Sequence, residues 1–367
     1  MAAGARTIVV LGGDGIGPEV TGEAVRVLRA VERRFSLKLE IREALVGQAA
    51  VDAEGIAITE ETMALCRESD AILFGAVGGA AATRPDVPNQ PMYALFRLRK
   101  DLELFANVRP VRPLPALLGS STLKRATLRG VDLLVVRELT GSLYYGQPSE
   151  IREGPTGLSA VDTMAYTEPE IERIVRYAFE LARDRSKQLT SVDKANVLSC
   201  SRLWRRVADR VHADYPDVTL RHMLVDACSM ALIRNPREFD VVVTENMFGD
   251  ILTDEASMLT GSLGMLPSAS LGARRTRHGQ FGLFEPIHGS APDIAGQGKA
   301  NPLAAILTVA LLLRYSLGLK RAAAAVERAV RQVVASGRRT ADIASPGETA
   351  ISTRAMGDAV VASILGD

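Results

Sequence analysis

Asp240-Val-Val-Val-Thr-Glu-Asn-Met-Phe-Gly-Asp250-Ile-Leu-Thr-Asp254 is the stretch on which the reading of this chain turns. The apolar run after Asp240 reads as a buried strand, and the residues from Asn246 onward read as a helix. On a helix Asp250 and Asp254 stand at i and i+4 and share one face. Two carboxylates so placed repel, so a positive group is expected between or before them. A third acid, Asp226, lies upstream in Leu-Val-Asp-Ala-Cys. Ligation by oxygen alone suits a hard divalent ion such as Mg²⁺ or Mn²⁺. Taken by itself such a pair is more simply a solvated acidic helix face, and the rest of the chain must decide.

Outward from that stretch, short apolar strands alternate with amphipathic helices. Residues 7–11 form a first strand, which passes through a Gly-rich turn into a helix opened by Pro18, a favoured first helical residue. Residues 59–67 read as a helix, and 71–75 and 131–136 as buried strands. The Gly, Ala and Pro of 77–91 suggest a loop, and 144–165 an extended arm or hairpin. Residues 168–185 form an amphipathic helix that Thr167 can cap. A further helix is expected over 203–213, loops over 261–272 and 273–281, and helices over 302–317, 320–336 and 353–365. This alternation implies an α/β fold, a largely parallel sheet covered by helices.

The chain has 367 residues, enough for about two domains. A net charge of +1 gives no polyanion signature, so nucleic acid is not expected as a partner. Cys66, Cys200 and Cys228 are far apart and show no CxxC spacing, which fits a reduced, cytoplasmic setting better than a disulfide or zinc scaffold. No secretory signal precedes the first strand. The apolar run near 303–313 is shorter than the ~20 residues of a membrane span. It is expected to be a buried core helix, and no membrane partner is expected.

Gly13-Asp-Gly-Ile-Gly-Pro resembles a dinucleotide-binding turn but fails its spacing, because single residues separate Gly13, Gly15 and Gly17. Arg99, Arg109 and Arg137 offer guanidinium forks that bind carboxylates bidentately. Arg137 directly follows a buried strand, where an uncompensated charge is costly. Lys194, in Val-Asp-Lys-Ala-Asn-Val, can act as a base if its pKa is lowered, and Tyr144 can donate a proton. From Glu285 to Pro302 the small residues allow close approach of a ligand, His288 can stack or hydrogen-bond, and Asp293 can bind a diol, as an adenosine ribose demands.

Together, Gly-Asp-Gly-Ile-Gly-Pro-Glu, Leu-Arg-Lys, Leu-Phe-Ala-Asn-Val-Arg-Pro, Arg-Glu-Leu-Thr-Gly, Val-Asp-Lys-Ala-Asn-Val, Phe-Gly-Asp-Ile-Leu-Thr-Asp and the 285–302 segment resemble the β-decarboxylating dehydrogenases of the isocitrate and isopropylmalate family, closest to its 3-isopropylmalate branch. The resemblance covers nearly the whole chain. It implies a two-domain fold that is not a Rossmann fold, with mixed sheets flanked by helices and a cleft between the domains. Residues 1–104 and 261–367 would form the first, cofactor-binding domain, and 105–260 an inserted second domain that carries metal, substrate and the homodimer interface. An arm near 146–165 would pair across that dimer.

By the same resemblance, Leu95, Arg99, Arg109, Arg137 and Asp226 would hold the substrate, a 3-alkylmalate. Asp226, Asp250 and Asp254 would bind Mg²⁺ or Mn²⁺. Tyr144 and Lys194 would be catalytic, with Lys194 and Asp226 acting in the partner's site. Ile16, His288, Gly289, Ser290, Ala291, Pro292, Asp293, Ile294 and Asn301 would bind the cofactor. Relatives that use NADP carry a lysine and a tyrosine where this chain has Asp293 and Ile294, which implies NAD. The implied reaction is oxidative decarboxylation of 3-isopropylmalate to 4-methyl-2-oxopentanoate in leucine biosynthesis. Another 3-alkylmalate, malate or tartrate remain alternatives, as does an inactive regulatory homologue. Met92 stands where this branch usually has Glu, Phe96 replaces Leu, and Gly-Gly-Ala-Ala-Ala-Thr before them lacks the usual Pro-Lys/Arg-Trp. That region reads the C3 substituent.

Overall fold

A computed structural model describes residues 5–78 and 90–366. The departure at 78–83, beyond its first residue, and most of the loop expected over 77–91 lie outside the described residues. In chain order the strands are β1 (Arg6–Gly13), β2 (Leu39–Ala44), β3 (Ala71–Ala76), β4 (Leu104–Val111), β5 (Leu133–Glu138), β6 (Ser149–Gly154), β7 (Gly157–Asp162), β8 (Gln188–Asp193), β9 (Thr219–Leu224), β10 (Val241–Thr244), β11 (Pro267–Arg275) and β12 (Gln280–Pro286). The chain divides into two compact units. The first comprises Met1–Leu104, Leu114–Thr122 and Thr260–Asp367, and the second Phe105–Pro113 and Leu123–Leu259.

In the first unit the strand order is β2-β1-β3-β12-β11. β1 pairs in parallel with β2 and β3, β3 in parallel with β12, and β12 antiparallel with β11, so the sheet is mixed. Helix Gly17–Arg34 packs on β1 and β3, and helix Leu303–Tyr315 on β3, β11 and β12. The latter is buried on nearly every side, as its uninterrupted apolar sequence requires. No described helix is long and apolar enough to cross a membrane.

The loops expected over 261–281 are corrected by β11 and β12, which pair from Pro267–Pro286 to Leu271–Gly282. Ser268, Ala269, Ser270 and Gly282 look like loop residues, but they are small because these strands are buried. A Cβ at Gly282 would come within 2.7 Å of the Leu271 side chain. Small buried residues thus hid a strand from a reading based on propensity.

In the second unit the order is β4-β5-β10-β8-β9, with β4 antiparallel to β5 and the remaining pairs parallel. Helix Glu168–Arg183 covers β5 and β10. Its start is fixed by a capping box: Thr167 N donates to Glu170 at 2.8 Å. Helices Val225–Arg234 and Asn246–Ser257 pack on each other. β6 and β7 make an exposed antiparallel hairpin. A largely parallel α/β reading holds for the main strands of both units, with β11/β12 antiparallel in the first and β4/β5 in the second.

Candidate active site

β5 ends on Arg137 and Glu138, and β10 runs parallel to it with Thr244 beside Arg137. Helix Asn246–Ser257 starts directly after β10, so one turn of helix carries Asp250 to the end of the β5 strand. Arg137 is 2% exposed. Its Nε donates to Asn246 Oδ1 at 2.9 Å, and its guanidinium also donates to Asp250 Oδ1. Tyr144 OH donates to the other Asp250 oxygen at 2.5 Å, and Arg137 lies over the Tyr144 ring, 5.6 Å from its centroid. Gly249 makes this possible, because the aliphatic stem of Arg137 occupies the space a Cβ would need.

Antiparallel pairing of β4 with β5 sets Asn107 opposite Arg137, and Arg109, two residues on, emerges on the same face. The Arg109 guanidinium donates to Asn107 Oδ1 at 2.5 Å and to Thr253 Oγ1, and lies 3.9 Å from Asp254. Each carboxylate of the Asp250–Asp254 pair therefore has its own arginine, which meets the repulsion expected from the sequence. Burial disfavours the Asp250 anion, but Arg137, the Tyr144 hydroxyl and Arg109 outweigh it and hold this carboxyl below its ordinary value. For Asp254 burial wins over Arg109, and its value is raised. Burial and then Asp250 push the Tyr144 phenol up to about 12, so it keeps its proton at neutral pH.

Lys194 follows β8, and its Nζ lies 3.0 Å from Asp226, which opens helix Val225–Arg234. The Lys194 hydrogen bond, followed by the helix amides, lowers the Asp226 value. Within one chain the three acids do not converge: among the described residues no three His, Cys, Asp or Glu are gathered as a metal-binding set.

In the first unit, the turn after β1 is closed by backbone contacts that exclude side chains. Gly15 has φ +58°, and a Cβ there would stand 2.0 Å from Ser290 O, while Ile16 N donates to Ser290 O at 2.8 Å. This joins Ile16 to the 288–294 segment. Glu19, in the first turn of the following helix, accepts from the Gly296 and Gly298 amides just beyond that segment. Asp14 accepts from Gly78 N at 3.0 Å and Ala49 N at 3.1 Å. Neither acid was singled out in the sequence; an acid beside a Gly-rich turn was the available signal.

His288 Nδ1 lies 3.0 Å from Gly289 O, and its enclosed Nε2 has no partner among the described residues. Burial holds its value below the ordinary one, so the ring is neutral at pH 7. Ala291 takes φ +39°, Ile294 N donates to Ala291 O at 3.2 Å, and Gly289, Pro292 and Asp293 are exposed. Asn301 accepts from Leu303 N at 3.0 Å and donates to Asp342 at 2.9 Å. Arg99 donates to Glu285, a partner missed in the sequence, at 2.8 Å, while its buried Nε has none among the described residues. Leu95 sits in the apolar core with Leu98, Phe281 and Leu283, and Met92 packs against that core.

Buried arginines set against carboxylates and a protonated phenol define an enzyme that handles an acidic small molecule. Residues 7–360 match the family described as isocitrate/isopropylmalate dehydrogenase, and the chain belongs to that family. It is 55% identical over 359 residues to a 3-isopropylmalate dehydrogenase of Shouchella clausii, covering 98% of this chain and 97% of that one. It is 56% identical over 360 residues to another of Halalkalibacterium halodurans, with 98% of each chain covered. Among solved structures, an isocitrate dehydrogenase from Methylococcus capsulatus superposes with a TM-score of 0.86 at 34% identity, covering 98% of this chain and 99% of that one. The chain is thus an oxidoreductase of the decarboxylating dehydrogenase type.

Proposed function

We propose that this enzyme oxidises and decarboxylates 3-isopropylmalate to 4-methyl-2-oxopentanoate with NAD⁺ as hydride acceptor, in leucine biosynthesis, in the cytoplasm. The observation that carries the reading is the Arg137–Asp250–Tyr144 cluster: an anion-binding guanidinium, a ligand carboxylate and a proton donor meet at one point.

Asp250 and Asp254 offer oxygen donors on one helix face, so the residues fit a hard divalent ion. Asp250 and Asp254, with Asp226 from a second copy, would hold it. Bound Mg²⁺ or Mn²⁺ would supply Lewis-acid polarisation of the substrate's C2 oxygen and C1 carboxylate. Arg99, Arg109 and Arg137 bind the malate carboxylates through paired N–H donors. Lys194 Nζ from that second copy takes the C2 hydroxyl proton. Tyr144 Oη, which holds its proton at neutral pH, delivers it to C3 once CO₂ has left. Ile16, His288–Ile294 and Asn301 are read as the adenosine side of the NAD site. The enclosed His288 Nε2, without a partner among the described residues, fits a ligand heteroatom.

The dimer reading draws support from helices Val225–Arg234 and Asn246–Ser257. Met230, Ile233, Ile251 and Met258 are all exposed there, and Ile251, Asp254 and Met258 share one face. Such an apolar face suits a second copy, and it would place the ligand carboxylates beside the partner's Lys194 and Asp226.

The test is a substrate panel with purified protein, NAD⁺ and Mg²⁺, following NADH formation and CO₂ release. Release of both from 3-isopropylmalate, ahead of malate, tartrate and isocitrate, is the expected result. No turnover of any 2-hydroxy acid would favour the regulatory homologue.

A further inference from the structure

Behind the groups that face the substrate lies a buried polar layer that the proposed chemistry does not use. Glu138, the residue after Arg137, is fully buried. Its carboxylate accepts from Thr140 N at 2.9 Å, Gly141 N at 2.8 Å, Tyr166 OH at 3.1 Å and the Thr140 hydroxyl. The Tyr166 oxygen in turn accepts from Asn246 N at 3.0 Å. The Asn246 side chain accepts from Arg137 Nε at 2.9 Å and donates to Gly141 O at 3.1 Å. Ser142, at φ +71°, donates its hydroxyl to Glu245, the residue that caps helix Asn246–Ser257 through Phe248 N.

The packing matches the hydrogen bonds. The Tyr166 ring fills the space beside Gly141, where a Cβ would stand 2.4 Å from its Cε1. On its other side Trp204 meets it edge-on, with centroids 5.8 Å apart. The turn that leads to Tyr144 is therefore tied at Thr140, Gly141 and Ser142. The atoms that tie it also hold the Arg137 guanidinium. Burying a carboxylate and a phenol is costly unless every lone pair and proton is met, and an apolar core would have sufficed to pack β5 on its helix.

We propose that Tyr166, together with Glu138 and Asn246, is a positioning element of the active site: it sets Arg137 and the 140–144 turn so that the guanidinium and the Tyr144 hydroxyl reach Asp250 together. This rests on the reading of Arg137 and Tyr144 as substrate-facing groups. Tyr166 does not touch the substrate and acts through those two. Removing its hydroxyl leaves Asn246 N without its acceptor and Glu138 short of a donor, both of which loosen the turn.

The test is a pair of double-mutant cycles. Y166F is compared with wild type, with Y144F and with R137K, and in the doubles Y166F/Y144F and Y166F/R137K. Turnover of the best substrate of the panel is read with NAD⁺ and Mg²⁺, and each variant is melted. Y166F is expected to lower kcat/KM for the hydroxy acid at least tenfold in the wild-type background and less than threefold in either variant background. KM for NAD⁺ should stay within twofold. An equal loss in all three backgrounds would overturn the proposal. If Y144F turned over like wild type, the role given to Tyr144 would fall, and the R137K cycle alone would decide: coupling retains the positioning role and additivity ends it. If Y166F did not fold, T140V, which removes one donor to Glu138 at nearly constant volume, replaces it in the same cycles under the same criteria.

Discussion

Gly249 lies directly beneath the side chain of Arg137: a Cβ at Gly249 would stand 2.6 Å from Arg137 Cγ and 2.8 Å from its Cβ. In a helix interior, Gly→Ala ordinarily stabilises by about 1 kcal/mol. Here the new methyl meets the root of a buried side chain, which cannot swing aside as a flexible tip could. Gly249→Ala should therefore lower the melting temperature. It should also lift the guanidinium away from Asp250, and a misplacement of this kind can cost on the order of a hundredfold in rate. Kinetics and a melting curve on one variant check both. A variant that is more stable and fully active would refute this account of the glycine.

Asp250 accepts from both Arg137 and Tyr144. Asp250→Asn keeps the shape but removes the charge that a divalent ion needs. Metal-dependent turnover should fall by about a hundredfold or more, the scale of losing one electrostatic stabiliser. The fold should survive, since this side chain is not part of the apolar core. For the wild type, excess chelator should stop the reaction and added Mg²⁺ or Mn²⁺ restore it. Undiminished turnover in chelator would end the metal assignment.

Glu32 gives a pH-dependent contribution remote from the chemistry. Its two oxygens accept from Leu39 N and from Arg29, each at 2.7 Å, and fix the turn into β2. Burial favours its neutral form, but these bonds and the nearby arginines outweigh it and hold the value below the ordinary one. An acid whose folded value is depressed stabilises fully above its unfolded value, about 4.3, and loses that contribution as pH falls through the lower folded value. Glu32→Gln should cost about 1 kcal/mol at pH 7, a modest figure because the pair is partly open to solvent. The gap from wild type should close as pH falls toward 3. A gap that stays constant in melts over that range would exclude the carboxylate as its source.

What the sequence disclosed depended on how much each residue had to say locally. Val241–Thr244 and the helix behind it were legible because a β-branched run and an i, i+4 acid pair are local patterns. Helix Glu168–Arg183 announced itself through Thr167 and Glu170. β11 did not, since Ser268, Ala269 and Ser270 are small for reasons that lie in the helix covering them. At the site, the arginines and aspartates were visible as residue types. Their partners Glu285 and Asn246 were not, because a hydrogen bond between residues far apart in sequence leaves no local mark. Glu138 stood within a recognised motif, yet nothing in the motif tells a buried acceptor of backbone amides from a surface acid.

Asp293 is exposed in a segment pinned to the Gly-rich turn through Ser290 and Ile16. If it accepts hydrogen bonds from the adenosine ribose, an added 2′-phosphate would meet its negative charge. NAD⁺ should then be preferred over NADP⁺ by at least the tenfold that about 1.4 kcal/mol represents. Asp293→Lys should narrow that preference from both sides, and steady-state kinetics with each cofactor measures it. Equal efficiency of the two cofactors with wild-type enzyme would contradict the reading.

The substrate's alkyl group should be chosen by helix Met92–Asp101. Met92, Leu95, Phe96 and Arg99 recur at i, i+3, i+4 and i+7 and so share a face. Leu95 and Met92 belong to one apolar cluster, while Arg99, held by Glu285 at 2.8 Å, brings charge to its end. Such a wall rewards each buried CH₂ by about 0.8 kcal/mol, roughly fourfold in kcat/KM. It penalises the extra carboxylate of isocitrate, which meets no donor at Met92, Leu95 or Phe96. Efficiency should therefore rise from malate through 3-methylmalate and 3-ethylmalate, with isocitrate poor. Phe96 is bulkier than the leucine usual in this branch, so the gain at the isopropyl step should be smaller than at the earlier ones. Phe96→Leu should restore it. The series, run with the wild type and this variant under one set of conditions, separates wall from volume. If isocitrate or malate were the best substrate, this face of the helix would not be reading the C3 substituent at all.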